Sequence, residues 1–456
     1  MSVSGNLKSF KGGIHPPSDW KELSRNKETV QAPLPDFAYV YMSQHIGAPA
    51  KPMVAKGDKV KKGQRVGEAQ AFVSAHTHAP IAGEVVDITF RSHPVSGART
   101  QVVVIKREGE DEWADGLNKP TDVQNLSPDD IRNLIKEAGI VGLGGAAFPT
   151  HVKLSPPKDK KVEAIILNGA ECEPYLTCDY RLMMEKTQEV VEGLRIIMKC
   201  LGCNNAYIGI EANKKDSYEK VKQVVGTDPN IKVELLEVKY PQGAEHQLIK
   251  AILRREFKPT QLPVEVGAVV HNISTTYAIY EAVRHKRPLI QRVVTVTGDG
   301  VDSPTNLLLR IGSPIEPVLR QAGLRDDAKR IIFGGPMMGI AQPDIAETTT
   351  IKGTGGILVL RSAETWASHA CIRCGKCVEA CPYGLNPSIL SILCEAKNFQ
   401  AAMEFNLMEC KECGCCTYVC TSRRPIVHLV KTAKFELARQ KAREQAKQQV
   451  ATAPAK

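Results

Sequence analysis

CIRCGKCVEACP, residues 371–382, and CKECGCCTYVC, residues 410–420, decide how the C-terminal part of this 456-residue chain must fold. Each reads C-x2-C-x2-C-x3-C. The first run places Cys371, Cys374, Cys377 and Cys381 ahead of Pro382; the second places Cys410, Cys413, Cys416 and Cys420, with Cys415 interleaved. Three thiolates on so tight a loop reach three irons of one [4Fe–4S] cubane, and the fourth serves the neighbouring cluster when two are present. Gly375 and Gly414 help the loops turn their N–H groups toward the sulfides. The spacing therefore assigns one cluster to Cys371, Cys374, Cys377 and Cys420, and the other to Cys410, Cys413, Cys416 and Cys381. Zinc sites pair C-x2-4-C units across a longer spacer, whereas here four cysteines fall within eleven residues, twice. The second run ends Cys420-Thr421 without the proline of the first; that position is not a ligand, so the assignment stands. Cys394, Cys415 and the pair Cys200 and Cys203 read as small buried hydrophobes.

Outside these runs the composition is that of a soluble globular protein, with 43% hydrophobic and 24% charged residues. The length implies about two to four domains. No apolar run approaches the ~20 residues of a membrane-spanning helix, and MSVSGNLKSFKGG at the start has no apolar signal region. Fourteen cysteines without such a signal point to metal or redox chemistry rather than a disulfide scaffold. The net charge of +10 favours acidic partners, anionic ligands or an anionic surface. Aromatic residues make up only 5%, and no nucleic-acid recognition motif is present.

Working back toward the N-terminus, residues 38–105 alternate short strand patterns with Gly and Pro turns, the signature of a small barrel or sandwich. The string VAKGDKVKKGQ followed by HAPIAGEVVDI resembles the barrel-sandwich hybrid of biotinyl and lipoyl carriers. Those carriers present a modifiable lysine at the hairpin tip; here the tip reads SAHTHAP, which makes this a structural module, with His76 and His78 on a solvated turn. A polar linker spans 111–126. Ser127 then caps a helix, and VEAIILNGAE forms an apolar strand. A helix over 179–201, a strand AYIGIE, a helix over 213–225, a strand KVELLEV and a helix over 244–255 follow. This alternation implies an α/β layer with a mostly parallel sheet. Residues 291–333 form a small α+β unit, and GILVL leads into the cysteine runs. The end of the chain sets Ile426, Leu429, Val430, Ala433 and Leu437 on one helical stripe with a basic face opposite, before a disordered ATAPAK.

GIVGLGGAAFPTHVKL, residues 139–154, is a loop in which Gly142, Gly144 and Gly145 let the backbone approach a phosphate or flavin, and Lys153 supplies charge. The apolar strand beyond it delivers Asn168, Glu171 and Glu173 to a sheet's carboxyl edge, where ligands bind in open α/β folds. Asn272, Ser274 and Thr275 open a later helix, whose N-terminus reads as a phosphate site.

GLGGAAFPT, N-G-A-E-x-E-P and N-I-S-T before a helix, followed by two cysteine runs, resemble the flavin- and NADH-binding subunit of respiratory complex I. With FKGGIHPP (Phe10 to Pro17) and FGGPMMG (333–339), the chain resembles more closely the C-subunit family of Rnf complexes, the ion-translocating ferredoxin:NAD+ oxidoreductases. The resemblance covers about residues 8 to 440. It implies a multidomain α/β plus β protein. An N-terminal arm and barrel-sandwich hybrid would span 1–110, a Rossmann-like FMN/NADH domain 125–290, a β-grasp, soluble-ligand-binding unit 291–345, a two-cluster ferredoxin-like helical domain 362–440 and a basic, disordered tail 441–456. It implies FMN on Gly142, Gly144, Gly145, Lys153, Asn168, Asn272 and Thr275, Phe148 near NADH, and Glu171, Glu173 and Glu245 lining the flavin–nicotinamide pocket. Leu143, Ala147 and Ala170 replace an Arg, a Gly and an Asp of the complex I pattern. The implied function is transfer of electrons between NAD(H), FMN and two [4Fe–4S] clusters, coupled to ion transport by membrane-embedded partner subunits. Ferredoxin would be a further partner, and the chain would sit peripherally on the cytoplasmic side of the bacterial cell membrane. A cobalamin reductase shares the flavin and cluster parts, but the arm and barrel module argue against it. A non-enzymatic cluster carrier is the rival of a different class.

Overall fold

The computed structural model describes residues 7–451, with side chains to 445. A four-stranded, all-parallel sheet forms its centre, in the order Ile231–Leu236, Ala206–Glu211, Ala164–Gly169, Ala268–Asn272. The strand Ala164–Gly169 is apolar up to Asn168 at its carboxyl end because both its faces are covered. Ile165 and Leu167 pack under the helices Pro128–Glu137, Thr187–Leu201 and Ile273–His285. Ile166, with Val270, packs under Glu245–Leu253. The strand order reverses between Ala164–Gly169 and Ala268–Asn272, which creates the crevice where ligands bind in such sheets. Asn168 and Asn272 are register partners there, at the carboxyl ends of the two strands.

Ser127 caps the helix Pro128–Glu137 in a reciprocal capping box with Asp130. The single helix expected over 179–201 is two, Cys178–Glu185 and Thr187–Leu201, broken at Lys186. The Thr187 hydroxyl donates to the Met183 carbonyl one turn back, which competes with the helical ladder at the break.

The barrel-sandwich module pairs Phe37–Tyr41, Arg99–Arg107, Gly83–Ser92 and Lys59–Val60 in one sheet and Lys51–Pro52, Arg65–Glu68 and Thr77–His78 in another. Val40, Val66, Ile81, Val85, Val103 and Ile105 fill the space between them. The tip expected to be solvated is not: His76 and His78 are buried. The wholly buried Lys352 explains this, since its amine donates to the carbonyls of His76 at 2.7 Å and Gly139 at 2.8 Å and so joins the tip to the glycine-rich stretch.

The sheet of the small α+β unit draws strands from outside 291–345. It runs Thr29–Gln31, Thr305–Arg310, Gln291–Thr297, Gly356–Leu360, Arg330–Phe333, Ile340–Ala341 and so takes in segments on both sides of that span. The cysteine-rich part is built of short helices closed by Ile426–Ala451. Ile426, Val430 and Ala433 on the expected stripe are buried. This helix runs through the stretch from 441 that was expected to be disordered; residues 452–456 lie outside the described residues.

Candidate functional site

Two sets of four thiols stand apart in the cysteine-rich part. Cys371, Cys374, Cys377 and Cys420 line one cavity. Cys381, Cys410, Cys413 and Cys416 line another, with Cys415 beside them. Each set draws one cysteine from the other run. The two loops follow the same backbone path: Arg373 and Glu412 both have φ 57, and Gly375 and Gly414 have φ 81 and 89. In that conformation the Arg373 N–H reaches Cys371 Sγ and the Glu412 N–H reaches Cys410 Sγ, each at 3.4 Å. Among the described residues no three His, Cys, Asp or Glu side chains converge on a single ion. Four thiols around a cavity, with backbone N–H groups aimed at sulfur, fit a cubane cluster. The first set reaches the surface, where Cys374 is exposed; in the second, Cys413 and Cys416 are buried. The non-assigned Cys415 is wholly buried, its Sγ 3.8 Å from the Tyr240 carbonyl. Cys394, Cys200 and Cys203 are buried in apolar clusters.

The glycine-rich loop is closed at its base by pairing of Val141 with Pro149, Gly142 N–H donating to the Phe148 carbonyl at 2.9 Å. Its path is fixed from two sides. The Leu143 N–H donates to Thr275 Oγ1 at 2.8 Å, and the buried Arg292 guanidinium donates to the Leu143 carbonyl at 3.1 Å. Gly144 lies so close to Asn272 that a Cβ there would stand 2.5 Å from the amide nitrogen, whereas a Cβ on Gly145 would meet nothing within 4 Å. Gly145 is therefore the bare, outward point of the loop.

Lys153 and Glu245 meet at this crevice: Lys153 Nζ lies 2.8 Å from Glu245 Oε1 and 2.7 Å from the Val270 carbonyl. Asn168 Nδ2 donates to the Gly243 carbonyl at 2.8 Å. Both polar atoms of the fully buried Gln242 next to it lack a partner. An open glycine, a cation, strand-end amides and an orphaned amide side chain together fit a flavin mononucleotide at the switch point.

Three expected positions are already engaged within the chain. The Glu171 carboxylate accepts the N–H groups of Asp179 at 2.7 Å and Tyr180 at 3.2 Å. The helix Cys178–Glu185 has no side-chain cap of its own at Thr177, so Glu171 supplies the acceptor, and burial pushes its carboxyl up to about 7. The N-terminus of Ile273–His285 is occupied as well. Asp179 Oδ1 accepts from the Ser274 N–H at 3.2 Å and its hydroxyl at 2.5 Å, and Asp179 Oδ2 accepts from Asn272 Nδ2 at 2.6 Å. A carboxylate already answers the helix dipole there, so Asn272 and Thr275 shape the loop rather than form an open anion site. Glu173 faces the α+β unit: its Oε1 accepts from the N–H groups of Met337 at 2.7 Å and Met338 at 3.2 Å, and burial raises its pKa.

Asp179, Arg292, Gln242 and Tyr240 were not singled out from the sequence. Asp179 stands in the string ECEPYLTCDYR, and Arg292 is a charge inside an apolar strand; the oddity of each was the available signal. Tyr240 joins the two sites. Its hydroxyl donates to the Cys413 carbonyl at 2.7 Å, while Gly243 in the same turn holds Asn168.

The family models matched are the Nuo51 FMN-binding domain over 135–281, the RnfC barrel sandwich hybrid domain over 8–110, the SLBB domain over 293–341 and a 4Fe-4S binding domain over 365–386. The chain is 47% identical to the C subunit of the proton-translocating ferredoxin:NAD(+) oxidoreductase complex of Clostridium ljungdahlii, over 97% of this chain and 96% of that one. It is 42% identical to the C subunit of the Na(+)-translocating ferredoxin:NAD(+) oxidoreductase complex of Acetobacterium woodii, over 95% and 98%. It is 38% identical to the C subunit of the ion-translocating oxidoreductase complex of Rhodobacter capsulatus, over 95% and 84%.

Proposed function

Since the chain belongs to the C-subunit family of ion-translocating ferredoxin:NAD(+) oxidoreductase complexes, we propose that it carries electrons between NAD(H), FMN and two [4Fe–4S] clusters within such a complex. FMN, when bound, exchanges a hydride's two electrons with nicotinamide and single electrons with the clusters. Gly145 offers the bare backbone against which the flavin lies, and Lys153 and Asn168 bind it. Gly142, Gly144, Asn272, Thr275 and Arg292 hold the loop in that shape. Glu245, paired to Lys153, and Glu173, held by the Met337–Met338 amides, orient the nicotinamide beside Phe148. Glu171 supports this strand end from behind by capping the helix.

The observation that carries the reading is the turn 240–243, whose Gly243 carbonyl binds Asn168 and whose Tyr240 hydroxyl binds the Cys413 carbonyl. One short turn thus touches both the flavin crevice and the buried thiol set. The surface set, with Cys374 exposed and Arg373, Lys376 and Arg423 following its cysteines closely in sequence, is the exit toward an acidic partner such as ferredoxin or a sister subunit. Among the described residues no helix is long and apolar enough to cross a membrane. We place the chain peripherally on the cytoplasmic side of the membrane, where the exposed Lys431, Lys441 and Arg443 of the final helix suit an anionic surface.

The test is anaerobic reconstitution of the chain with FMN, iron and sulfide, followed by NADH. The reading expects about eight irons per chain, bleaching of the flavin by NADH, and then reduction of the clusters. A chain whose clusters answer dithionite but never NADH would be a cluster carrier instead.

A further inference from the structure

The motif Phe10-Lys11-Gly12-Gly13-Ile14 holds no cluster thiol, yet it packs against the buried thiol set, Ile14 sharing an apolar cluster with Tyr240, Ala380, Cys413 and Cys415. At one end Lys8 extends the edge of the parallel sheet: its N–H donates to the Leu235 carbonyl at 3.0 Å and its carbonyl accepts from Glu237 at 2.9 Å. At the other end Ile14 and Tyr240 exchange backbone hydrogen bonds of 2.8 and 2.9 Å. Between these anchors the Gly13 N–H donates to the Ala380 carbonyl at 2.9 Å, one residue before Cys381. Phe10 is buried, with Lys239 Nζ 4.8 Å from its ring centre and 2.9 Å from its carbonyl oxygen.

The two glycines are required by the backbone itself. Gly12 has φ +82 and Gly13 φ +80, where other residues are strained. A Cβ on Gly12 would stand 2.9 Å from the Cys381 carbonyl oxygen and 3.1 Å from Pro382 Cα; one on Gly13 would stand 2.6 Å from the Tyr240 carbonyl oxygen. These neighbours are main chain and cannot swing aside. Tyr240 in turn holds the Cys413 carbonyl, and Gln247 Nε2 holds the Pro382 carbonyl at 3.1 Å. Two loops of the buried thiol set, at Cys381 and Cys413, are thus gripped by the arm or by the segment it pairs with.

We propose that the arm Phe10–Ile14 is a positioning element for electron transfer between the two cofactor sites. Gly12 seats Cys381, the thiol that crosses from one run to the other set, and Gly13 ties that turn to the crevice through Tyr240. Precise sites need this kind of supporting shell, because residues left unsupported drift from the working geometry. The proposal rests on the two-cluster reading above.

The experiment compares wild type and Gly12→Ala as full-length, reconstituted chains. A methyl at Gly12 pushes the arm off the turn at Cys381. The expected result is an altered electron paramagnetic resonance signal from the buried cluster, an unaltered one from the surface cluster, and normal flavin bleaching by NADH. Flavin-to-cluster transfer in stopped flow should fall roughly tenfold to a hundredfold, the scale of an ångström-sized misplacement. Amide hydrogen exchange should quicken at Gly13, Ile14 and Tyr240 but not in Pro128–Glu137. An arm that is only a structural prop would quicken exchange and leave the buried-cluster signal and transfer rate at wild-type values, which overturns the proposal. If Gly12→Ala loses both clusters, Lys239→Met releases Phe10 without straining a φ, and an unaltered buried-cluster signal there overturns it equally. About four irons in the wild type instead of about eight would sink the two-cluster reading itself, and with it the arm's role; that failure is visible before any variant is made.

Discussion

Lys153 Nζ and Glu245 Oε1 stand 2.8 Å apart across the crevice, joining residues 92 positions apart in the chain. Both side chains are about one-third exposed, at 32% each. The pair contributes less than about 1 kcal/mol to stability at that exposure. Its importance is at the ligand. Lys153→Met should weaken FMN binding by roughly tenfold to a hundredfold, the scale of one charge-assisted hydrogen bond, in a flavin-fluorescence titration. The melting temperature of the apoprotein should barely move. Glu245→Gln should retain FMN and instead raise the KM for NADH. If Lys153→Met binds FMN as wild type does, the cation belongs to the fold and not to the flavin.

The glycine loop separates two kinds of damage. Gly145→Val adds a branched side chain where nothing stands within 4 Å, so the empty protein should fold normally but no longer accept flavin. Clusters should then be reduced by dithionite and not by NADH. Gly144→Ala would press on the Asn272 amide and disturb the loop itself, at a cost of about 1–3 kcal/mol. Differential scanning calorimetry of the two apoproteins, paired with flavin titration, checks the contrast. Normal FMN affinity in Gly145→Val would move the flavin elsewhere.

The crossed thiol sets predict crossed phenotypes. Cys381→Ser should perturb the buried cluster, although Cys381 sits in the first run, and Cys420→Ser should perturb the surface one. Cys415→Ala should leave both spectra intact. Low-temperature electron paramagnetic resonance resolves this, and damage confined to each cysteine's own run would refute the assignment.

Acid should loosen the seat of the barrel module. Burial holds the imidazoles of His45 and His76 neutral, each with its pKa pulled down to about 4. Beyond burial, Arg65, Lys136 and Lys352 oppose a proton on His76, while Glu137 favours one. His76 Nδ1 also accepts from the Ala69 N–H at 3.1 Å, a bond that protonation would break. The unfolded chain takes up these protons near pH 6.5 and the folded chain does not. Stability is therefore present above that pH and is lost as pH falls toward 4. Thermal melts of the apoprotein should drop over that window, and His76→Gln should flatten the drop by about a few degrees. An identical slope in the variant would remove His76 from the account.

What the sequence determined by itself was whatever depends on neighbours along the chain. The two thiol runs were legible because ligand spacing is covalent geometry, and the parallel sheet because apolar runs alternate with helical periods. Ser127 announced its capping box for the same reason. Which way a side chain faces was decided by segments far away in sequence. Glu171 and Glu173 are two residues apart and look alike on paper, but one caps a helix while the other binds the Met337 amide, 164 positions on. The SAHTHAP tip read as solvated because Lys352, the cation that buries it, lies 276 positions beyond His76. Asp179 at the helix start beyond Asn272 was hidden likewise. A buried polar group takes the partner that the packed chain brings to it, and only the tertiary structure chose those partners.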